Sequence, residues 1–363
     1  MKISQIGELA LLEKIRRTFS KKTEKVLVGI GDDAAALKPV NETILATTDM
    51  MVEKIHFDFR FITPYQLGFK LLSVNVSDIY AMGGRPFYVL MNLAVNKSTT
   101  TEFIDSFFDG VKDAVDFYDM ILVGGDLSAS NRDMSLSATV IGYAKKYIQR
   151  SGAKVGDKIY VTGNLGDSAC GLELLKKIRR PVPFFKNGSA VSDQRTTPPH
   201  RRGSRGGLNS ELQMIKAAFV RLGLPWKIIK PLIRRHLMPE ARNPKNFIQA
   251  ATSMIDVSDG LLIDLTRLCN ESNVGARVYI ENVPVSRELK KASSYLGTSP
   301  ERLALSGGED YELLFTAPPG KKVKAIYIGD VIKLNRVVVD RSGREKPFSS
   351  EGYQHFRRKR DDI

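Results

Sequence analysis

The sequence has few of the features that mark secreted, membrane-spanning or disulfide-stabilised proteins. Its 363 residues include only two cysteines, Cys170 and Cys269, which do not form a CxxC pair. Two such thiols support neither a zinc site nor a disulfide framework. No apolar run approaches the ~18 residues of a membrane span, and the first residues alternate charged and apolar groups instead of forming a signal-peptide core. We therefore expect a cytoplasmic protein that has no membrane partner.

Motifs of several enzyme classes are also absent. The sequence contains no GxSxG motif, and its four histidines, His56, His200, His236 and His355, lie in no recognisable nucleophile context. This pattern gives no support to Ser/His/Asp hydrolysis. There is also no GxxxxGK[ST] loop and no HRD or DFG motif. Any use of ATP therefore belongs to an architecture other than the P-loop or protein-kinase fold.

The composition suits a folded protein with two cores, since 42% of the residues are hydrophobic and 26% are charged. The formal charge of +15 is unevenly distributed. Residues 176–245 hold 17 Lys and Arg against three acidic residues, whereas the other 293 residues hold 38 basic and 37 acidic groups. The excess therefore belongs to one segment and not to the whole fold.

The basic segment also differs from the rest of the chain in composition and periodicity. Over residues 179–210 it is rich in Pro, Gly, Ser and Arg and shows no period of 2 or 3.6 residues. We predict a mobile loop over 181–210, followed by short amphipathic basic helices that lead back into the core. Two hypotheses remain open, a solvated insertion and an arm that binds a polyanion.

A nucleic-acid-binding protein would use this segment together with the basic tail at 357–360. The segment has few aromatic side chains that can stack on bases. We therefore rank this class of function below an enzyme and do not expect a nucleic-acid partner.

Outside the basic segment, short β-rich runs end repeatedly in glycine and aspartate. These runs are VLVGIGDD (26–33), TILATTD (43–49), MILVGGD (120–126), SMIDVSDG (253–260) and LALSGGED (303–310). Helical periods occur between them, notably over 64–84 and 101–119. Interleaved strands and helices predict a mixed α/β fold in which five strand ends carry carboxylates.

The two halves of the chain contain similar short motifs. VSD occurs at 76–78 and at 257–259, and GGD at 124–126 has a counterpart in GGED at 307–310. Together these motifs predict two related α/β domains, 1–146 and 147–363, with a basic insertion at about 179–240 in the second.

One aspartate lies on the apolar face of a predicted helix. After Pro64, the residues Leu67, Leu71, Val74 and Asp78 recur at spacings of three and four. A buried unpaired carboxylate costs several kcal/mol, so Asp78 needs a cation or a cluster of donors. A structural ion pair and a metal site both satisfy that need.

Further oxygen-bearing side chains occur at the predicted strand ends. Mg²⁺ prefers oxygen ligands in a near-octahedral array and usually shares them with substrate phosphates. For a single aspartate beside glycine, a turn or a helix cap is an alternative role. Five such positions in one chain favour the metal hypothesis. The candidate ligands are Asp32, Asp33, Thr47, Thr48, Asp49, Asp126, Asp256 and Asp259.

Two glycine-containing segments predict phosphate-binding turns that open helices. GIGDDAAAL and VSDGLLIDL each place glycine before an apolar run, where free backbone N–H groups and the helix dipole favour an anion. In the second segment, Ser258 is the predicted N-cap and Gly260 permits close approach of the backbone. Leu261, Leu265 and Leu268 form the predicted buried stripe.

Eight motifs, in this order, resemble those of bacterial thiamine-monophosphate kinases. They are GIGDDAAAL, TTDMMVEKIHF, LLSVNVSDIYAMGGRP, ILVGGD, RSGAKVGDKIYVTG, GDSACGLELL, IDVSDGLLIDL and ALSGGEDYELLFT, and they span nearly the whole chain except the basic insertion. The combination of TTD, VSDIYAMGG and SGGEDYEL distinguishes this family from other aminoimidazole-ribonucleotide synthetase-like ATP enzymes. The resemblance implies the two-domain fold of that superfamily and ATP-dependent phosphorylation of thiamine phosphate to thiamine diphosphate. It also implies several Mg²⁺ ions and a homodimer paired through the N-terminal domains.

The resemblance further implies roles for individual residues. The implied ATP contacts are Gly125, Asp126, Arg150 and Ser258. The implied thiamine phosphate contacts are His56, Glu309 and Tyr353. The implied Mg²⁺ ligands are Asp33, Thr47, Thr48, Asp49, Asp78, Asp126, Asp256 and Asp259. Family members often have an aromatic residue three positions before the tyrosine, where this sequence has Ser350.

The implied reaction needs little covalent chemistry from the protein. Phosphoryl transfer depends mainly on charge neutralisation and in-line positioning. The acceptor is a phosphate monoester with a second pKa of about 6, so it is largely a dianion near neutral pH. We therefore expect neither a general base nor a covalent nucleophile. The alternative roles are a structural histidine for His56 and a surface turn residue for Arg150.

Related ATP enzymes fit the sequence less well. An aminoimidazole-ribonucleotide synthetase-like ligase is the best alternative, but TTDMMVEKIHF and SGGEDYELLF favour the kinase. A selenophosphate synthetase is expected to carry a reactive Cys or selenocysteine near the first glycine loop, and no cysteine precedes Cys170. A hydrogenase-maturation dehydratase is expected to have a C-terminal cysteine, whereas this sequence ends in FRRKRDDI.

Overall fold

The computed structural model describes Lys2, Gln5 and residues 8–19, 23–31, 34–177, 185–186, 189–190, 216 and 223–348. The α-helices in these ranges are α1 (Glu8–Phe19), α2 (Pro64–Ala81), α3 (Thr101–Phe117), α4 (Asp167–Lys176), α5 (Trp226–Leu237), α6 (Leu261–Ser272), α7 (Arg287–Leu296) and α8 (Pro300–Ser306). The first nine strands are β1 (Val26–Val28), β2 (Ala36–Leu37), β3 (Thr43–Val52), β4 (Arg85–Asn96), β5 (Ile121–Ser130), β6 (Ser135–Ala144), β7 (Lys158–Val161), β8 (Phe185–Lys186) and β9 (Ser189–Ala190). The others are β10 (Ser253–Asp256), β11 (Gly275–Tyr279), β12 (Leu313–Ala317), β13 (Ile326–Ile332), β14 (Arg336–Val339) and β15 (Glu345–Pro347). The predicted mixed α/β class is confirmed.

The chain divides into two compact units. Unit 1 comprises Met1–Tyr80, Gly84–Tyr147 and Ile178–Gly223. Unit 2 comprises Ala81–Gly83, Ile148–Lys177 and Leu224–Ile363. Unit 2 thus takes in the short segment that follows the body of α2.

A four-stranded sheet in the order β3-β6-β4-β5 forms the centre of unit 1. Both β3 and β4 pair antiparallel with β6, and β5 pairs parallel with β4. Parallel pairing requires a crossover connection, and α3 supplies it between β4 and β5. Thr100 caps α3 by accepting a hydrogen bond from the Phe103 amide. The helix then buries Phe107 and Val111 in the core of the unit.

The predicted helix after Pro64 is confirmed as α2, and it ends at Ala81. Within it, only Tyr65 and Asp78 are partly exposed, and the other helix residues are buried. A helix that is buried on nearly every side has few places for a charge. Asp78 therefore lies at the edge of the buried part of the helix, where it can meet both protein donors and a ligand.

Unit 2 contains a seven-stranded sheet in the order β10-β12-β7-β13-β11-β14-β15. The pairs are antiparallel except for β11 with β14. One face packs against α6, whose Leu261, Leu265 and Leu268 share a core with strand residues such as Ile255 and Val278. Each of the three leucines is fully buried, so the predicted stripe is confirmed.

Two of the predicted strand ends lie inside strands. The ladders of β3 and β5 continue past Asp49 and Asp126 to Val52 and Ser130. Hydrogen bonds to neighbouring strands sustain these ladders, so neither aspartate ends its strand. Asp256, the last residue of β10, does lie at a strand end.

Two other predicted elements are also wrong. LALSGGED does not begin as a strand, because Ser299 caps α8 by accepting from the Arg302 amide and Pro300 suits the first helical turn. GIGDDAAAL does not open a helix, because its last two residues form the short strand β2, which pairs with β1. Asp32 and Asp33 of this motif lie outside the described residues.

Most of the basic insertion and the tail at 357–360 also lie outside the described residues. Within the predicted loop, β8 and β9 pair as a short antiparallel ladder, which no period in the sequence indicated. The predicted helix at the end of the insertion is present as α5, and it buries Ile229, Leu232 and Ile233. Across the described ranges, every helix is too short or too polar to cross a membrane.

Candidate functional site

Two predicted site residues of unit 1 are joined by a hydrogen bond. Thr47 on β3 donates its hydroxyl to Asp78 Oδ2 on α2 at 2.6 Å. Two residues along β3, the Asp49 amide donates to Asn75 Oδ1 at 2.9 Å, and Asn75 in turn donates to the Leu71 carbonyl. Thr47, Asp49 and Asp78 are each half-buried. They form an oxygen-rich cluster on the side of β3 that faces α2.

The sheet places Thr48 and Asp126 on its other face. Thr48 is exposed, and its hydroxyl donates to the Ala138 carbonyl at 3.0 Å. Asp126 on β5 is paired with Asn92 on β4, and Asn92 is paired with Ser137 on β6. Ser137 is in turn paired with Met50 on β3. Directly paired residues point to the same face of a sheet, so Asp126 lies on the face that carries Thr48. Three strand spacings of about 4.8 Å each put Asp126 roughly 14 Å from β3. The predicted Mg²⁺ ligands of unit 1 are therefore divided between the two faces.

Gly125, a predicted ATP contact, has a structural reason to be glycine. Its φ is +151°, and a Cβ at this position would lie 1.8 Å from the Met91 carbonyl oxygen. Close approach of the β5 backbone to β4 therefore requires glycine inside the sheet. This requirement explains why a glycine that resembles a turn signal occurs in the middle of a strand.

His56 lies in the turn that follows β3. Its Nδ1 accepts a hydrogen bond from the Val52 amide at 3.0 Å, and its own amide donates to the Val52 carbonyl at 2.9 Å. Because Nδ1 is an acceptor, the neutral ring carries its proton on Nε2. The turn thus fixes the ring so that a neutral His56 presents Nε2–H as its donor.

In unit 2, Ser258 and Asp259 lie in the turn between β10 and α6. The amides of Ser258, Asp259 and Gly260 all donate to Asp264 Oδ2, at 3.1, 3.0 and 3.1 Å. The N-cap of α6 is Gly260, with a φ of +132°, and not Ser258. The predicted N-cap is therefore wrong. The expectation that these amides are free to bind phosphate is also wrong, because an internal carboxylate already accepts their hydrogen bonds.

Asp264 is fully buried and also contacts Arg267. Its Oδ1 accepts from Arg267 NH1 at 2.7 Å, and the same NH1 lies 2.7 Å from Asp259 Oδ2. Burial raises the pKa of Asp264 to about 6, although Arg267 and the turn amides favour its charged form. Asp259 is 28% exposed and remains accessible to a ligand. Asp256, the last residue of β10, is buried.

The loop after α8 approaches the same turn. The Glu309 amide donates to the Ser258 carbonyl at 2.7 Å, and the Tyr311 amide donates to the Val257 carbonyl at 2.9 Å. Glu309 and Tyr311 have φ values of +64° and +50°. Residues other than glycine adopt this conformation at a cost on the order of 1 kcal/mol or more. The hydrogen bonds to the turn hold this strained loop and bring Glu309 beside Ser258.

Glu309 is oriented by a buried histidine. Glu309 Oε2 lies 3.0 Å from His236 Nδ1 on α5, and Ser168 Oγ lies 3.1 Å from the same nitrogen. A hydrolytic triad uses both ring nitrogens of its histidine, whereas here both partners meet Nδ1. The arrangement is therefore a network that orients Glu309, in agreement with the absence of a hydrolase motif.

Two further carboxylates of this loop are buried. Asp310 accepts hydrogen bonds from two amides at the N-terminus of α4, and burial raises its pKa to about 7. Burial alone would also raise the pKa of Glu312, but Arg235 and Arg242 hold it below its usual value. These contacts anchor the chain directly after Glu309.

Arg150 lies at the other end of α6 from the turn. Ser272, the last residue of α6, donates its hydroxyl to the Arg150 carbonyl at 2.8 Å. A helix of 12 residues is about 18 Å long, so the backbones of Arg150 and Ser258 are far apart. The structure does not bring these two predicted ATP contacts together. Tyr353 and Ser350, like Asp33, lie outside the described residues.

Asp264, Arg267 and His236 were not predicted from the sequence as site residues. A signal for Asp264 was present, because its spacing from Leu261 and Leu268 places it close to the buried stripe of α6. Like Asp78, Asp264 is therefore an acidic residue on the apolar face of its helix and needs a cation or a cluster of donors. Arg267 and His236 have no comparable signal, because their roles depend on partners brought together by the tertiary fold.

Comparison with known proteins identifies the family. Residues 31–144 match the model for the AIR synthase related protein, N-terminal domain, and residues 234–340 match the model for the C-terminal domain. The chain is 32% identical over 361 residues to the thiamine-monophosphate kinase of Aquifex aeolicus (strain VF5), which covers 98% of this chain and 100% of the relative. The chain belongs to the thiamine-monophosphate kinase family.

Other members of the thiamine-monophosphate kinase family show the same agreement. The enzyme of Escherichia coli (strain K12) is 34% identical over 318 residues, covering 86% of this chain and 83% of the relative. The solved structure of AaThiL complexed with AMPPCP and TMP matches with a TM-score of 0.70 at 31% identity, over 98% of this chain and 99% of that chain. HypE in complex with ATP matches with a TM-score of 0.62 at 17% identity over 94% and 95% of the two chains, a likeness that shows the fold alone. The predicted synthetase-like two-domain fold and the family are both confirmed.

Proposed function

We propose that this family member transfers the γ-phosphoryl group of ATP to thiamine phosphate, giving ADP and thiamine diphosphate. The full-length match to AaThiL complexed with AMPPCP and TMP carries the proposal, since AMPPCP is an ATP analogue and TMP fits the substrate in the family name. The cluster of Thr47, Asp49 and Asp78 suits a reaction that depends on charge neutralisation and positioning. The proposed compartment is the cytoplasm, which is consistent with two free, buried cysteines.

The proposal assigns Mg²⁺ to the oxygen-rich cluster of unit 1. Across the described ranges, no group of three or more His, Cys, Asp or Glu side chains is placed to hold a metal alone. Mg²⁺ is often held by one or two carboxylates together with substrate phosphates, and Thr47, Asp49 and Asp78 fit that mode. Bound there, Mg²⁺ would supply neutralisation of the phosphate charge. The other proposed ligands are Asp33, Thr48, Asp126, Asp256 and Asp259.

The residues proposed to contact the substrates bind and orient them and do not transfer protons. His56 presents Nε2–H, which suits an oxygen of the thiamine phosphate dianion. Glu309, oriented by His236, complements the positive charge of the thiazolium ring. The third proposed contact to thiamine phosphate is Tyr353. The proposed ATP contacts are Gly125, Asp126, Arg150 and Ser258.

The proposal also assigns a homodimer contact to the exposed face of the unit 1 sheet. Ile44 and Met50 on β3 are 63% and 62% exposed, whereas the alternating Leu45 and Met51 are buried against the helical side. Exposed apolar side chains on a sheet face favour association with another protein surface. The sheet of a second copy would cover them.

The reaction is tested by incubating the purified protein with ATP, Mg²⁺ and thiamine phosphate, and quantifying ADP and thiamine diphosphate. We expect product when the metal and the monophosphate are both present. EDTA, or unphosphorylated thiamine in place of the monophosphate, should prevent product formation. ADP release with an aminoimidazole ribonucleotide precursor, without thiamine diphosphate, would assign the chain to the synthetase reaction instead.

A further inference from the structure

The turn between β10 and α6 is held from two directions within unit 2. Its amides at Ser258, Asp259 and Gly260 donate to Asp264, as described above. Its carbonyls at Val257 and Ser258 accept from the loop that carries Glu309. A backbone fixed on both sides has little freedom to adapt to a ligand. Recognition at this turn therefore falls to the side chains of Ser258 and Asp259.

The side chain of Asp259 is held by the same network. Arg267 NH1 lies 2.7 Å from Asp259 Oδ2 and 2.7 Å from Asp264 Oδ1. Charge-assisted hydrogen bonds of this kind are stronger than neutral ones. Asp264 therefore fixes the backbone of Asp259, and Arg267 fixes its carboxylate, so that three side chains form a closed ring around the turn.

The three members of the ring differ in burial. Asp264 is fully buried, whereas Arg267 and Asp259 are 37% and 28% exposed. A buried carboxylate with four protein donors is a fixed anchor, and solvent can reach the two other side chains. We propose that Asp264 and Arg267 are positioning residues that hold Ser258 and Asp259 in the arrangement that receives the nucleotide. This inference rests on the proposed function for the identity of the ligand.

Replacement of Arg267 separates positioning from folding. Arg267→Met keeps the length of the apolar stem and leaves Asp264 bonded to the three turn amides. The Asp259 carboxylate then loses the contact that orients it. The contacts given for Arg267 are to Asp259 and Asp264, and neither of these is a proposed contact to thiamine phosphate. Nucleotide binding should therefore weaken while thiamine phosphate binding changes little.

The test compares Arg267→Met with Arg267→Lys and with a matched control. Arg277→Met removes an arginine that is 38% exposed and pairs with Glu345 on the sheet. We expect Arg267→Met to raise the KM for ATP about 10-fold, the effect of losing one charge-assisted contact, with kcat and the KM for thiamine phosphate within about twofold. Calorimetry should show the same loss of affinity for AMPPCP. Arg267→Lys should restore most of the affinity, and Arg277→Met should match the unmodified protein.

A second variant addresses the anchor. Asp264→Asn keeps one oxygen for the turn amides but turns an amide group towards Arg267, so we expect at least the same loss of AMPPCP affinity. Unchanged AMPPCP affinity in Arg267→Met, or equal changes in both KM values, overturns the positioning role. Failure of the unmodified chain to form thiamine diphosphate refutes the proposed reaction instead. In that case the AMPPCP affinities of the variants still decide the role of Arg267.

Discussion

Thr47 and Asp78 form a hydrogen bond of 2.6 Å that joins β3 to α2 in unit 1. The hydroxyl donates, so the Asp78 carboxylate is the acceptor, and an ionised carboxylate offers about four lone-pair sites in all. Asn75, one turn earlier on α2, accepts from the Asp49 amide and aligns that residue with the same helix. One helix therefore carries Asp78 and holds the backbone of Asp49, the two acidic residues of the proposed Mg²⁺ cluster.

Asp78→Asn tests whether the charge of Asp78 is needed. Asparagine keeps an oxygen that can accept the Thr47 hydroxyl, so we expect the unfolding temperature to change little. The loss of negative charge should reduce turnover at ordinary Mg²⁺ by at least about 100-fold. Steady-state kinetics measure this effect, with the exposed Asp105→Asn as the control. Near-normal activity would remove Asp78 from the metal cluster.

His56→Ala and His56→Gln test the proposed contact to the acceptor phosphate. Removal of one hydrogen bond should raise the KM for thiamine phosphate roughly 3- to 10-fold, because a net hydrogen bond contributes on the order of 1 kcal/mol. We expect kcat to change little, since the dianion needs no general base. A large fall in kcat with unchanged KM would contradict this role.

Arg150→Ala tests the predicted ATP contact at the far end of α6. Ser272 bonds to the Arg150 carbonyl, so truncation of the exposed side chain leaves this backbone contact in place. If the guanidinium binds phosphate, the KM for ATP should rise about 10- to 100-fold and that for thiamine phosphate much less. Initial-rate kinetics with each substrate varied in turn measure the difference. Equal effects on both substrates would favour a surface turn residue.

The features that could be predicted from the sequence are those that depend on local periodicity. The apolar spacing of α2 and the leucine stripe of α6 were both predicted, because a helix brings residues three and four apart to one face. The position of Asp78 on the mainly buried face of α2 followed from the same spacing, although the residue is only half-buried. The mixed α/β class required only the alternation of strand and helix patterns.

Features that depend on partners distant in sequence were not predictable in the same way. Gly125 resembles a turn signal in the sequence. In the structure it lies inside β5, where a side chain would collide with the Met91 carbonyl on β4. The sequence predicted free amides at 258–260, because Asp264 lies in the following helix and its hydrogen bonds back to the turn are not visible in the sequence. The pairing of His236 with Glu309 depends on α5 meeting the loop after α8.

Charge on the exposed face of the unit 1 sheet should disrupt the proposed homodimer. Met50→Glu places a carboxylate where an apolar side chain is 62% exposed in the single chain. Burial of an unpaired charge costs several kcal/mol, so we expect the dimer dissociation constant to rise at least about 100-fold. Sedimentation equilibrium measures this shift. Leu334→Glu, at an apolar position of unit 2 that is 71% exposed, is the control and should leave association unchanged.

Asp310 should make stability fall as the pH rises. Burial raises its pKa to about 7, above the value near 3.9 expected in the unfolded chain, so the folded state binds the extra proton. Its contribution is complete below the unfolded pKa and is lost as the pH rises through about 7. From pH 5 to 8 we expect a loss of about 2–3 kcal/mol in the free energy of unfolding, measured by denaturant titration. Asp310→Asn cannot ionise and should show a correspondingly smaller fall, whereas Asp105→Asn should retain the full slope.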